Sequence, residues 1–425
     1  MTARGRAVPV LQPDAGVLRA PAPAQRPREA GRLPGGATSS RRNGYLPFAP
    51  PLIGEEEIAE VVDTLRSDWI TTGPKVARFE AEFAAAVSAG GAVALNSCTA
   101  GLHTALVVSG IGPGDEVIMT PLTFAATVNV IEHVGARPVL VDVEPDTLTI
   151  DPARIAAAMT SHTKAIIPVH YAGHPAEMDP IRELARAHRL LVLEDAAHAL
   201  PASYRGCRIG SSSNPVAFSF YATKNLTTAE GGMLTADPEF LARARILSLH
   251  GLSRDAATRY AAGGHWAYEV LVPGFKYNMT DIQGALGLWQ LRKLDRFQER
   301  RREVVTAYQA AFTGEEALEL PVARPWVEHA WHLYVLRLRP AVLRIGRDRF
   351  IEELAQRNIG TSVHFIPIHL HPYYRDKYRY LADTFPVAYD AFQRMISLPL
   401  SPRLSDQDVA DVIAAVLDIV RRHRR

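Results

Sequence analysis

From Tyr45 onward, short runs of branched apolar residues alternate with stretches whose apolar positions recur every three to four residues. Ala92–Leu95, Glu116–Met119, Arg137–Val141, Ala165–Val169 and Leu190–Leu193 are runs of the first kind. A strand that is apolar at consecutive positions is buried on both faces. Glu55–Arg66, Val76–Val87, a segment opening at Thr99, and Met178–His188 have helical periodicity and lie between most of these runs. The alternation predicts an α/β fold, a mostly parallel sheet with helices on both faces. Ligands of such sheets sit beyond the carboxyl ends of the strands.

After a helical stretch over 281–312 the pattern changes. Trp331–Leu338 is predicted as a strand, Arg349–Arg357 as a helix, Gly360–His364 as a strand and Asp406–Arg421 as a closing helix. This α+β pattern predicts a large domain over 45–300 and a smaller C-terminal domain over 301–425.

The net charge of +2 hides an asymmetry. Residues 1–44 hold eight Arg against Asp14 and Glu29, which leaves −4 for 45–425. That tail also holds six Pro and six Gly and has almost no apolar periodicity, so it is expected to be a disordered extension. The body carries no basic footprint for nucleic acid. No apolar run reaches the ~18 residues that span a bilayer. Cys98 and Cys207 are too few for a disulfide framework, and a reducing cytoplasm is the expected compartment.

The chemistry concentrates at Lys224. It is one of only six Lys among 47 basic residues. It follows the apolar, aromatic run Ala217–Tyr221, where a buried strand gives way to Thr223 and Asn225. A desolvated lysine can lose its proton and attack a carbonyl, which arginine cannot do. Asp195 projects from the end of the run Leu190–Glu194. An Asp there can cap a helix, or it can hold a heterocyclic nitrogen protonated. Asn96–Gly101 joins a strand to a helix, and its small hydroxyl residues suit an anion at a helix N-terminus. Ser219 adds a hydroxyl, and Phe124 could stack on a flat ring or simply fill core. His329, His332, His364, His369 and His371 are accompanied by no HExxH or paired CxxC, so no metal is expected.

The motifs Glu194-Asp195-Ala196-Ala197-His198-Ala199 and Phe218-Ser219-Phe220-Tyr221-Ala222-Thr223-Lys224-Asn225 resemble those of the DegT/StrS-type sugar aminotransferases, fold type I enzymes dependent on pyridoxal 5'-phosphate (PLP). Trp69–Pro74, Gly114–Ile118, Gly274–Asp281 and His364–Tyr373 extend the resemblance from about Tyr45 to the C-terminus. The resemblance implies that Lys224 binds PLP covalently, Asp195 pairs with the ring nitrogen and His198 sits near the ring hydroxyl. It further implies that Phe124 covers the ring, while Thr99, the Ala100 backbone and Ser219 bind the phosphate. Asn278 would reach the phosphate in a neighbouring subunit, which implies a homodimer with shared active sites. Thr71, His329 and Trp331 fall on the substrate side.

The implied reaction is a two-stage transamination. L-glutamate gives up its amino group, and a nucleotide-linked keto sugar then takes it. Lys224 excludes the branch of the family that has histidine at this position and dehydrates carbon 3. Ala229, with Pro168–Gly173 and Glu328–Leu333, is similar to the subgroup that acts on UDP-linked 4-keto sugars, the type that makes 4-amino-4-deoxy-arabinose. Other dTDP- or GDP-linked keto sugars, a cyclic ketone of antibiotic biosynthesis and a non-catalytic relic of the fold are the alternatives.

Overall fold

The computed structural model describes residues 42–253 and 267–425. The expectation for the tail therefore lies outside the described residues, except at Arg42–Gly44. There Arg42 pairs with Asp408 at 2.6 Å and Asp411 at 2.9 Å.

Seven strand positions form one continuous sheet. Arg137–Leu140, Glu116–Met119, Thr163–Ile167 and Leu191–Val192 lie side by side and parallel. Glu194–Asp195 continues the last of these and pairs in parallel with Val216–Ser219. Gly232–Thr235 comes next, antiparallel to both its neighbours, and Ala92–Leu95 closes the edge. The break at Leu193 does not split the sheet. Leu193 N still donates to Ile166 O at 3.0 Å, and Val169 bridges Asp195.

Side chains alternate across this sheet and divide the interior in two. Val93, Leu95, Val117, Met119, Ala165, Ile167, Ala217 and Leu234 enter one core, with Leu102, Leu106, Val128 and Ile131 from covering helices. Ala92, Ala94, Ile118, Ile166, Val216, Phe218 and Met233 enter the other, with Phe79, Phe83, Ile181 and Leu288. Apolar residues at successive positions are thus explained by two buried faces. Beneath the Lys224 strand, Phe83 meets Phe218 and Phe220 at ring distances of 5.1 and 5.5 Å, and Phe79 meets Phe220 at 5.4 Å. Each such burial contributes roughly 1.5–3 kcal/mol and holds the strand that leads into the lysine loop.

The C-terminal part has a third core. Leu318–Glu319, Tyr334–Leu338 and Met395–Leu398 form an antiparallel sheet. The helices Leu294–Phe312, Arg347–Gln356 and Asp406–His423 contribute to its core, as does Leu46. The segment 360–364, expected as a strand, is irregular and meets the sheet at Ser397, which Ser362 bridges and His364 Nδ1 reaches through Oγ at 2.8 Å. Among the described residues, no helix is long and apolar enough to cross a membrane.

Candidate active site

Asp195 ends its strand, and the register sets it against Ala217. Its carboxylate is buried. Thr127 Oγ1 donates to Oδ2 at 2.8 Å, and the Ala197 N–H donates to Oδ1 at 3.1 Å. Cys98 Sγ lies 4.0 Å from Oδ1 and 3.5 Å from Ala217 O. Burial raises the pKa of Asp195, with the Thr127 and Ala197 hydrogen bonds and the Lys224 charge opposing. An acid in that position is stabilised by a cationic donor.

Lys224 was expected where the strand ends, but the strand stops at Ser219 and the lysine lies in a loop beyond it. Phe220 N donates to Gly231 O at 2.8 Å and Thr228 N to Phe220 O at 2.9 Å, so the loop closes on itself. Phe220 reads as strand because it is apolar; it is buried in the aromatic cluster instead. Lys224 N donates to Tyr221 O at 2.9 Å within this loop. Burial lowers Lys224 from 10.5 to about 8, against the opposing influence of Cys98 and Asp195.

Two histidines near Lys224 have defined tautomers. The Ala172 N–H donates to His198 Nδ1 at 3.3 Å, so a neutral His198 carries its proton on Nε2. Asn225 Nδ2 donates to Leu200 O at 2.9 Å and Ala330 O at 2.8 Å, which leaves Asn225 Oδ1 as an acceptor. His332 Nδ1, 3.2 Å from that oxygen, must then be the donor. Burial holds both imidazoles well below their ordinary pKa, with Lys224 adding to the effect. Their rings are 4.4 Å apart, and Phe365 stacks on His198 at 5.7 Å. Phe124 precedes the helix Ala125–His133 and is 64% exposed, 5.9 Å from Phe365, with area free to cover a planar ligand.

The register also places Leu95, Gly232 and Ser219 abreast. A Cβ on Gly232 would stand 2.4 Å from Ser97 C and 2.5 Å from Cys98 N, so only glycine lets the helix start pack against this strand. Ser97 caps the helix Cys98–Val108 by accepting from the Ala100 N–H at 3.1 Å. That N–H, expected at the anion, is thereby engaged. Among the described residues the N–H groups of Cys98 and Thr99 have no acceptor. Two unengaged donors at a helix N-terminus, beside the Ser219 strand end, suit a phosphate.

Asn278 lies at the sheet edge, where it bridges Leu95 and its Nδ2 donates to Thr72 Oγ1 at 2.6 Å. The neighbouring Thr71 is exposed, and its carbonyl accepts from Asp281 N at 3.1 Å. His329 is buried and accepts from Trp331 N on Nδ1 at 2.8 Å, with the two rings stacked 3.8 Å apart. Among the described residues, no three His, Cys, Asp or Glu side chains form a metal-binding group.

Several residues in this neighbourhood were not anticipated as site residues: Cys98, Thr127, Asn225 and His332. Cys98, Asn225 and His332 lie inside quoted motifs and Thr127 three residues after Phe124, so position beside a named residue was the available signal. What each one touches depends on the fold.

These features fit PLP. The site offers a buried acid suited to a cation, a lysine poised to lose its proton, an exposed aromatic face and open N–H groups for a phosphate. The family model described as the DegT/DnrJ/EryC1/StrS aminotransferase family matches residues 51–417. The spore coat polysaccharide biosynthesis protein SpsC of Bacillus subtilis is 53% identical over 383 residues, which is 90% of this chain and 98% of SpsC. The putative sugar aminotransferase Spr1654 of Streptococcus pneumoniae superposes in its PLP form with a TM-score of 0.82 at 37% identity, covering 89% of this chain and 99% of that one. DesV of S. venezuelae, solved in complex with a ketimine intermediate, superposes with a TM-score of 0.81 at 36% identity, covering 89% of this chain and all of that one.

Proposed function

Because this chain belongs to the DegT/DnrJ/EryC1/StrS aminotransferase family and is a PLP-dependent sugar aminotransferase, we propose that it moves the amino group of L-glutamate onto a nucleotide-linked keto sugar, a UDP-linked 4-keto sugar above all. The observation that carries this reading is the pairing of a loop lysine lowered to about 8 with a buried acid at a strand end, each acting on the other's charge.

When bound, PLP supplies an electron sink through its protonated ring nitrogen. Asp195 would hold the proton on that nitrogen; Thr127 and the Ala197 N–H keep its carboxylate oriented. Lys224 Nζ, neutral in an appreciable fraction of molecules, binds the cofactor. As a free amine it would take the proton from the donor's α-carbon, a transfer that contributes on the order of 10²–10⁴-fold. It later returns a proton to the sugar carbon that gains nitrogen. His198, whose Nε2–H is left free, would donate to the ring oxygen, and the exposed Phe124 would cover the ring. Thr99, Ser219 and the first N–H groups of the helix would hold the phosphate, with the Ala100 N–H acting through the Ser97 cap. Thr71, His329 and Trp331 face the sugar side. Asn278 completes the phosphate site of a second subunit, so the working unit is a homodimer. Free Cys98 and Cys207 agree with a cytoplasmic enzyme.

The test is the visible absorbance of the purified protein before and after L-glutamate, with Lys224→Ala beside it. A band that glutamate bleaches, and that a UDP-linked 4-keto sugar restores better than dTDP- or GDP-linked ones, is the expected result. A band that glutamate leaves intact would refute the donor. Faster recovery with another nucleotide would reassign the acceptor. A protein that takes up no PLP at all would be a relic of the fold.

A further inference from the structure

His329, Ala330, Trp331 and His332 present four successive main-chain carbonyls, and a side-chain donor takes each one. Gln298 Nε2 donates to His329 O at 3.0 Å and Asn225 Nδ2 to Ala330 O at 2.8 Å. Arg301 Nη1 donates to Trp331 O at 3.2 Å and His332 O at 3.4 Å, and it also reaches Leu400 O at 3.1 Å. Gln298 and Arg301 sit one turn apart on the helix Leu294–Phe312, so one helix face supports the turn from below. From the other side, Ala330 N donates to Gly173 O at 2.9 Å and Leu333 N to Ala172 O at 3.1 Å. Trp331 has φ +45°, a left-handed conformation that a bulky residue keeps only when its surroundings impose it.

Arg301 is an unusual choice for this support. It is only 2% exposed, and among the described residues no carboxylate lies within ion-pairing distance. Removing a guanidinium from water without a counter-ion is costly, and methionine would fill the same volume without that cost. What the charge obtains is strength: Nη1 alone serves the three carbonyls, its two N–H groups shared among them, while Nε has no acceptor among the described residues, and a charged donor strengthens each hydrogen bond.

We propose that Arg301 is a positioning residue of the active site. Through the carbonyls of Trp331 and His332 it sets the left-handed turn that presents Trp331 to the acceptor and His332 to Asn225, the neighbour of Lys224. The acceptor part of this rests on the placement of Trp331 on the sugar side given above. The turn itself does not, since it is built from contacts within the chain.

The experiment compares Arg301→Met and Arg301→Lys with the wild type in the full-length protein, with and without cofactor. Hydrogen exchange read by mass spectrometry over 329–333 reports the turn directly, because Ala330 and Leu333 hold their N–H groups in hydrogen bonds. Arg301→Met is expected to speed exchange there by about tenfold or more, with Tyr334–Leu338 and Thr163–Ile167 unchanged, and Arg301→Lys to recover part of it. In half-reactions followed by absorbance, L-glutamate should bleach the band within about threefold of wild type, while KM for the keto sugar rises about tenfold and kcat holds. Unchanged exchange over 329–333 would overturn the proposal, and so would faster exchange throughout the core, which would make Arg301 general core support. A wild type without a cofactor band would refute the aminotransferase reading instead, and the exchange comparison would still decide Arg301.

Discussion

Lys224 must be neutral to attack a carbonyl, so its pKa sets how much of the cofactor-free enzyme is competent at a given pH. Burial lowers it from 10.5 to about 8. At pH 7 that leaves about one molecule in ten neutral rather than about one in three thousand, a gain of roughly 300-fold. Asp195 and Cys98 oppose this shift, so Asp195→Asn should lower the midpoint further. The assay strips the cofactor, mixes the protein with PLP at a series of pH values, and times the growth of the visible band. The rate should climb about tenfold per pH unit in the acid limb and level off near pH 8, and the Asn variant should level off earlier. A rate still climbing near pH 10 would mean that Lys224 titrates as an ordinary solvated lysine. The burial argument would then be wrong even if the enzyme works.

Gly232→Ala drives a methyl to 2.4 Å from Ser97 C, main chain that cannot swing aside. It should cost about 1–3 kcal/mol in thermal unfolding and weaken PLP uptake, and a variant that binds PLP normally would break the link between Gly232 and the helix start. Asp281 accepts from the N–H groups of Gly73 at 2.9 Å, Lys75 at 3.1 Å and Val76 at 2.9 Å, capping a helix whose own N-cap is a glycine. Asp281→Ala should therefore cost about 1–3 kcal/mol in urea unfolding, and an unmoved midpoint would refute the cap. His174 is held at about 4 by burial, its Nδ1–H on Pro175 O at 2.7 Å and its Nε2 accepting from Arg324 N at 3.2 Å. Its folded pKa is the lower one, so the unfolded chain binds the extra proton. The associated stability is complete above about pH 6.5 and is lost as the pH falls toward 4, at most roughly 3 kcal/mol. His174→Asn should flatten the pH dependence of urea unfolding, whereas parallel curves for variant and wild type would count against this.

The elements that were legible in the sequence are those whose pattern has a single physical cause. Ala92–Leu95, Glu116–Met119 and Met178–His188 lie where the periodicity puts them. The strands are buried on both faces and the helix on one. The reversed direction of Gly232–Thr235 was not legible, because an apolar run says nothing about which way its neighbours point. Gly360–His364 alternates like a strand yet bridges only at Ser362, since Met395–Leu398 takes the place beside Tyr334–Leu338. Lys224 and Asp195 stood out because imine chemistry and a protonated ring nitrogen each demand one residue type. Arg301 could not stand out. In Gln298–Glu303 it reads as part of a solvated charged face, and only the fold turns that position inward.

The histidines around Lys224 explain why the pairing with Asp195 can work. His198, His332 and His364 all feel the charge of Lys224, and burial is the first cause of the lowered pKa in each, with His364 brought to about 4. Were any of them protonated, it would add a fixed cation to a pocket that must accept a protonated ring nitrogen. It would also offer Asp195 a competing charge. Kept neutral, they contribute directed donors and acceptors instead: Nε2–H on His198, and Nδ1–H on His332 pointing at Asn225. Among the charges that act on the acid Lys224 comes first and His170 second, and in the proposed reading Lys224 is also the group that would give up its charge to bind the cofactor. Losing the lysine charge and gaining a ring-nitrogen charge would therefore be coupled through one carboxylate, and the pocket would exchange one positive charge for another.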